Sequence, residues 1–61
     1  MNWTIREEVH FSGPYRVLHM TRGWQVWHYG NTSECFGREI RTLDAAKEIA
    51  ARHERNHHNG Q

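Results

Sequence analysis

The chain is short of the residues that staple a small fold. Cys35 is its single cysteine, so no disulfide can close within the chain, and a reducing cytoplasm is the expected home. Pro14 is the single proline. Gly13, Gly23, Gly30 and Gly37 stand as isolated turn positions, which excludes a glycine-rich phosphate cradle. No apolar run approaches the ~20 residues of a membrane span, and no charged stretch followed by an apolar one marks a secretory leader, so a membrane is not an expected partner. Nor is there an excess of one charge. Eight Lys and Arg are interspersed with seven Asp and Glu for a formal charge of +1, unlike a polybasic protein. Six histidines make that charge sensitive to mild acid. At 61 residues the chain is one domain with one small core, at a size where folding buries only about 60% of the surface.

What is present is organised around Tyr15 to Tyr29. Two apolar-rich runs, Tyr15 to Met20 and Trp24 to Tyr29, flank Thr21-Arg22-Gly23, a loop with glycine where a type I turn plus bulge requires positive φ. That closure pairs Met20 with Trp24 and Leu18 with Val26 on one side, and Val17 with Trp27 and Tyr15 with Tyr29 on the other. A two-residue loop of Arg22-Gly23 is the alternative, and it redistributes the aromatics. In the favoured register both faces are apolar, and so short a chain can bury only one.

Upstream, Trp3, Ile5, Val9 and Phe11 alternate with polar residues in a strand pattern that Glu7 interrupts. Thr4 and Glu7 also read as a capping box opening a short helix. Downstream of the turn formers Gly30 to Ser33, a further strand is expected over Cys35 to Ile40, with Phe36, Arg38 and Ile40 on one face. Thr42 then caps a helix with Asp44 in its first turn, expected to run to about His53 or Arg55. Leu43, Ala46, Ile49, Ala50 and His53 form its narrow apolar stripe, and Lys47, Glu48, Ala51, Arg52 and Arg55 point away. The expected fold is α+β, a three- or four-stranded antiparallel sheet packed against one C-terminal helix, spanning residues 1–56 with a frayed tail over 57–61.

Trp24-Gln25-Val26 followed by Gly30, Phe36 and Thr42-Leu43-Asp44-Ala45-Ala46-Lys47 resembles small phage and prophage domains of the form W-x-V, glycine turn, aromatic, T-L-x-x-A-K. The likeness covers Trp24 to Ala51. Similar patterning occurs in the arm-binding N-terminal domains of tyrosine integrases, which read DNA through an open sheet face, and in compact phage proteins that block a host enzyme or defence complex. The integrase-type domains carry several Arg and Lys on their strands, whereas the strands here offer aromatics and histidines, with Arg16 and Arg38 as the main cations.

No constellation for catalysis stands out. Glu7, Glu8, Glu34 and Glu39 are adjacent or scattered, and Cys35 has no cationic neighbour in sequence to lower its pKa. His53, His57, His58 and Cys35 are zinc-ligand types, but they lack two closely spaced pairs and read as solvated histidines and a structural thiol. No enzyme, metal or cofactor is therefore expected. The candidate protein-binding patch is Tyr15, Val17, Trp27 and Tyr29, rimmed by His19 and Gln25, since Tyr, Trp and Arg dominate interface hot spots. The opposing expectation is that the N-terminal segment folds over that patch. In that case the contact surface moves to the helix's outer face and to Arg16, Arg38, Arg41, Lys47, Arg52 and Arg55, which also serve the nucleic-acid alternative. The expected function is a small non-enzymatic protein-binding module. It would be a phage or mobile-element accessory or inhibitor that contacts a host protein or pairs with itself as a homodimer, with nucleic-acid binding as the alternative.

Overall fold

The computed structural model describes residues 2–59, with side chains up to residue 56. Five strands precede one helix: β1 (Thr4–Arg6), β2 (Val9–Ser12), β3 (Tyr15–Met20), β4 (Gly23–Tyr29), β5 (Ser33–Ile40) and α1 (Leu43–Asn59). The strands form one antiparallel meander in sequence order, so every neighbour is joined by a short turn and no crossover is needed. The fold is thus the expected α+β sheet with one C-terminal helix, but with five strands where three or four were expected.

The extra strand comes from the N-terminal run. Glu7 and Glu8, both at positive φ (51° and 66°), fold it into a two-residue hairpin, so the helical reading of Thr4 to Glu7 does not hold. The reversal pairs Ile5 with His10 and Thr4 with Phe11, which sends Ile5 and Phe11 to opposite faces although their positions alternate alike in sequence. Beyond Gly13-Pro14, Ser12 pairs with Tyr15 and β2 continues the sheet beside β3.

The central hairpin corrects both expected registers. Met20 pairs with Gly23, His19 with Trp24, Val17 with Val26 and Arg16 with Trp27, which leaves Thr21-Arg22 as the loop. Gly23 is therefore a strand residue, at φ 141°, with its backbone pressed on Ile40 and Glu39 of β5. One residue of slip exchanges faces along a whole strand. Tyr15 and Val17 consequently part from Trp27 and Tyr29.

The inward face carries Tyr15, Val17 and Val26, which meet Ala46 and Ala50 of α1 in the buried core. Two alanines at the contact allow the helix to lie close on the sheet, and Trp3, Trp24, Phe36, Ile40, Leu43 and Ile49 seal its edges. Thr42 caps α1 as expected, its Oγ1 accepting the Ala45 N–H at 3.1 Å. The helix continues to Asn59, past the expected end, so residues 57–59 of the expected tail are helical, while 60 and 61 lie outside the described residues.

β5 is bent by two register shifts against β4, one beside Phe36 and one beside Glu39, which stands at φ 53°. Phe36 and Ile40 turn inward to the core, and Arg38 does not share their face as expected. Among the described residues no helix is long and apolar enough to cross a membrane.

Candidate functional site

Because α1 covers one face of a five-stranded sheet, the opposite face lies open. Its central row can be read off the pairings: Thr4 beside Phe11, Phe11 beside Arg16, Arg16 beside Trp27, Trp27 beside Cys35. A second row, Arg6, Val9, Leu18 and Gln25, lies alongside it. At ~4.8 Å between strands, Phe11 and Trp27 stand about 10 Å apart with Arg16 between them. Tyr29 follows Trp27 along β4 on the same side, the two ring centroids 6.1 Å apart. Tyr29 is 41% exposed and Met20 46%, whereas Phe11, Leu18 and Trp27 are half-buried by their neighbours on the face.

The groups on this face hold one another. The Arg16 guanidinium lies over the Phe11 ring at 4.9 Å and the Tyr29 ring at 5.4 Å, while its Nη1 donates to the carbonyls of Gly13 (2.7 Å) and Tyr15 (3.0 Å). Trp27 Nε1 donates to Gln25 Oε1 at 3.0 Å. The Cys35 thiol, half-buried beside Trp27, donates to the Gly37 carbonyl at 3.4 Å. At the hairpin end, Met20, Arg22, Gln25, Arg38 and Glu39 line a recess of about 340 Å³.

The expected patch is therefore split. Tyr15 and Val17 are buried beneath the helix, at 2% and 0% exposure, and cannot contact a partner. Tyr15 Oη instead lies 2.8 Å from His53 Nδ1, and burial, with the Glu54 charge second, raises the phenol's pKa. His19 is exposed but stands on the helix side, stacked on Trp24 at 4.3 Å. Trp27 and Tyr29 remain in place on the open face. The chain's beginning does not cover them: it extends the sheet sideways and tucks Trp3 toward the helix, where the Lys47 ammonium sits 5.6 Å from its ring. Phe11 was missed because its row is set by the two-residue Gly13-Pro14 turn, which pairs Ser12 with Tyr15 and Phe11 with Arg16.

No family model, curated protein or solved structure matches this chain. The face must be understood from its own chemistry.

The basic residues sort by face as well. Arg6, Arg16 and Arg38 lie on the open face with Arg22 at its end, and Glu39 is the acid beside them. On the helix side, Arg52 and Arg55 both reach the Glu48 carboxylate, at 3.8 and 3.6 Å, and Lys47 is laid over Trp3. Arg41 is exposed just ahead of the helix. The six candidate cations thus do not form one surface. A chain with a formal charge of +1 concentrates half of its eight basic side chains on one side of the sheet.

A separate groove of about 350 Å³, lined by Ile5, Glu8, His10, His19 and Trp24, opens where the helix leaves the inward face uncovered. His10 Nδ1 is shut off from solvent there without a hydrogen-bond partner, its ring set edge-on to Trp24 at 5.7 Å. Burial, with the Lys47 charge second, holds the His10 pKa below the ordinary imidazole value. A lowered folded-state pKa means that the unfolded chain binds the proton more readily. This contribution to stability is complete above an unfolded pKa of about 6.5 and is lost as the pH falls below it. Thermal melts should therefore drop in temperature between about pH 7.5 and pH 5.5, and His10→Phe should narrow that gap. An undiminished gap in the variant would assign the acid sensitivity to other histidines. Among the described residues, no three His, Cys, Asp or Glu side chains are grouped to hold a metal ion.

Proposed function

We propose that this protein is a small non-enzymatic binding module whose working surface is the open face of its sheet, and that the partner is a nucleic acid. The observation that carries this reading is the sorting of charge: Arg16 lies over the Phe11 and Tyr29 rings, Arg6 stands in the adjoining row and Arg22 and Arg38 at the hairpin end of the same face, while on the helix side Arg52 and Arg55 are paired with Glu48 and Lys47 is laid over Trp3. A cationic face on a nearly neutral chain attracts a polyanion in one orientation. Its aromatic rings add contacts that bases can use. Two copies of this face would bring arginines against arginines, which argues against the homodimer. The resemblance to phage and prophage domains suggests a mobile-element accessory as the biological setting.

A protein partner is the second reading, and a specific observation favours it. Trp27, Tyr29 and Arg16 belong to the residue types that anchor protein interfaces, and exposed Met20 with Leu18 extends the apolar area. On this reading the partner is an acidic host protein that the module occludes.

Salt separates the two readings. Titrating nucleic acid at rising salt should give a linear fall of log affinity with log salt. Replacing both Arg16 and Arg38 with Ala should weaken binding at low salt by roughly ten- to a hundredfold and flatten the slope by about two, one for each cation removed. Arg52→Ala, on the helix side, should change little. No salt-dependent binding, or equal losses from the helix-side and open-face variants, would remove the nucleic-acid reading.

A further inference from the structure

We infer that the open face is built for single-stranded nucleic acid, with unpaired bases stacked on Phe11, Trp27 and Tyr29 and the phosphates held by the flanking arginines. This deepens the nucleic-acid reading above and rests on it. The argument turns on which groups of the face are already engaged. Recognition of a duplex in its groove uses the hydrogen-bonding ends of side chains, such as an Arg or Gln fork aimed at base edges. The two rows of the open face have spent several of those ends internally. Gln25 Oε1 accepts from Trp27 Nε1, and Arg16 Nη1 donates to two backbone carbonyls.

What the face still offers is the Trp27 indole, the sides of the Phe11 and Tyr29 rings that the Arg16 guanidinium does not cover, and charge. The Trp27 indole, with its N–H already engaged, keeps only its π-surface to present. Tyr29 lies next to it along the strand, and the Arg16 guanidinium lies between Phe11 and Tyr29, within cation–π distance of both rings. A base inside a duplex keeps its faces covered by its neighbours, so only an unpaired base can use such a platform. Stacking of this kind tolerates any base, while cations follow the backbone. The recess at the hairpin end, bordered by Arg22 and Arg38, continues the cationic track beyond the aromatic row.

The test uses the whole chain with a fluorescent oligothymidylate, an oligouridylate and a duplex of the same length at low salt, and with polyglutamate as competitor. The single strands should bind at least tenfold more tightly than the duplex. Comparison of thymidylate with uridylate then tells DNA from RNA, since both offer unpaired bases. Trp27→Leu should weaken single-strand binding roughly ten- to a hundredfold while leaving the salt slope unchanged, because a stacking ring is lost and no cation is. Should Trp27→Leu fail to fold, the unmodified protein supplies the second measurement. Cys35 pairs with Trp27 on the same face, so bound single strand should slow the reaction of its thiol with a disulfide reagent.

Equal affinity for duplex and single strand, with thiol reactivity unaltered, would overturn the single-strand assignment while the nucleic-acid reading stands. No binding of any nucleic acid would overturn both. Displacement of the oligonucleotide by polyglutamate at equal charge would also overturn the assignment, since charge alone would then account for binding, and it would favour the acidic-protein partner.

Discussion

Gly23→Ala should lower the melting temperature of this domain by roughly 10–30 °C, from a loss of about 2–4 kcal/mol. Two costs combine. At φ 141° the backbone lies in a region that only glycine adopts freely. A Cβ at this position would also come within 2.8 Å of the Ile40 carbonyl oxygen, 3.0 Å of the Glu39 carbonyl carbon and 3.1 Å of the Glu39 Cα. These are main-chain atoms of the neighbouring strand, so they can retreat only by unpairing it. For 61 residues a total stability of roughly 3–9 kcal/mol is expected, so the loss is a large part of the whole. Gly13→Ala is the internal control. It too has positive φ (57°), but nothing lies within 4 Å of an added Cβ, and its cost should stay near 1 kcal/mol. Circular-dichroism melts of both variants decide the matter: if Gly23→Ala melts no lower than Gly13→Ala, the close approach of β5 is not what holds the hairpin in register.

The second large effect has the opposite sign. Glu7 and Glu8 form a two-residue turn in which both residues have positive φ, a conformation that favours Asn-Gly and penalises long side chains by about 1–2 kcal/mol each. The two adjacent carboxylates also repel one another. Replacing Glu7 with Asn and Glu8 with Gly should therefore stabilise the domain by about 2 kcal/mol, or roughly 8–16 °C in melting temperature. Denaturant unfolding with a raised midpoint and an unchanged m-value would show that stability itself rose, with the same surface exposed on unfolding. β1 is a three-residue edge strand, and if it opens well before the rest unfolds the gain will be confined to local hydrogen exchange and absent from the global transition. That result would mean the core does not depend on β1.

These two positions also mark where the sequence was hard to read. Glu-Glu carries no turn signature, so the N-terminal run looked like one strand or a short helix, with Ile5 and Phe11 on the same side. Gly23 was recognisable as a residue needing freedom at φ, but its local neighbours, Thr21 and Arg22, suggested that it belonged to the loop. The decisive neighbours are Glu39 and Ile40, far along the chain. Bulges at Phe36 and Glu39 then broke the alternation by which Arg38 had been grouped with Phe36 and Ile40. By contrast, the helix start at Thr42 and the buried Ala46 and Ala50 were legible, because capping and the 3.6-residue repeat act over one or two turns of the same segment.

The candidate site divides in the same way. That one apolar side of the sheet would be left without the helix followed from there being more apolar strand residues than one short helix can cover; the grouping of Tyr15 and Val17 with Trp27 and Tyr29 rested on a register that the structure corrects. Which residues accompany them did not follow. Tyr15 and Val17 left the patch, Phe11 and Arg16 entered it, and the arginines came together, all through pairings made across four strand boundaries.

From the sequence alone came the element types, the capped helix and the surplus of apolar surface on a ribbon of strands, since each depends on residues close together in the chain. The tertiary structure alone decided the face on which every strand residue stands. A side-chain repeat of two leaves that choice to single-residue shifts, and those shifts were set by contacts between residues distant in sequence.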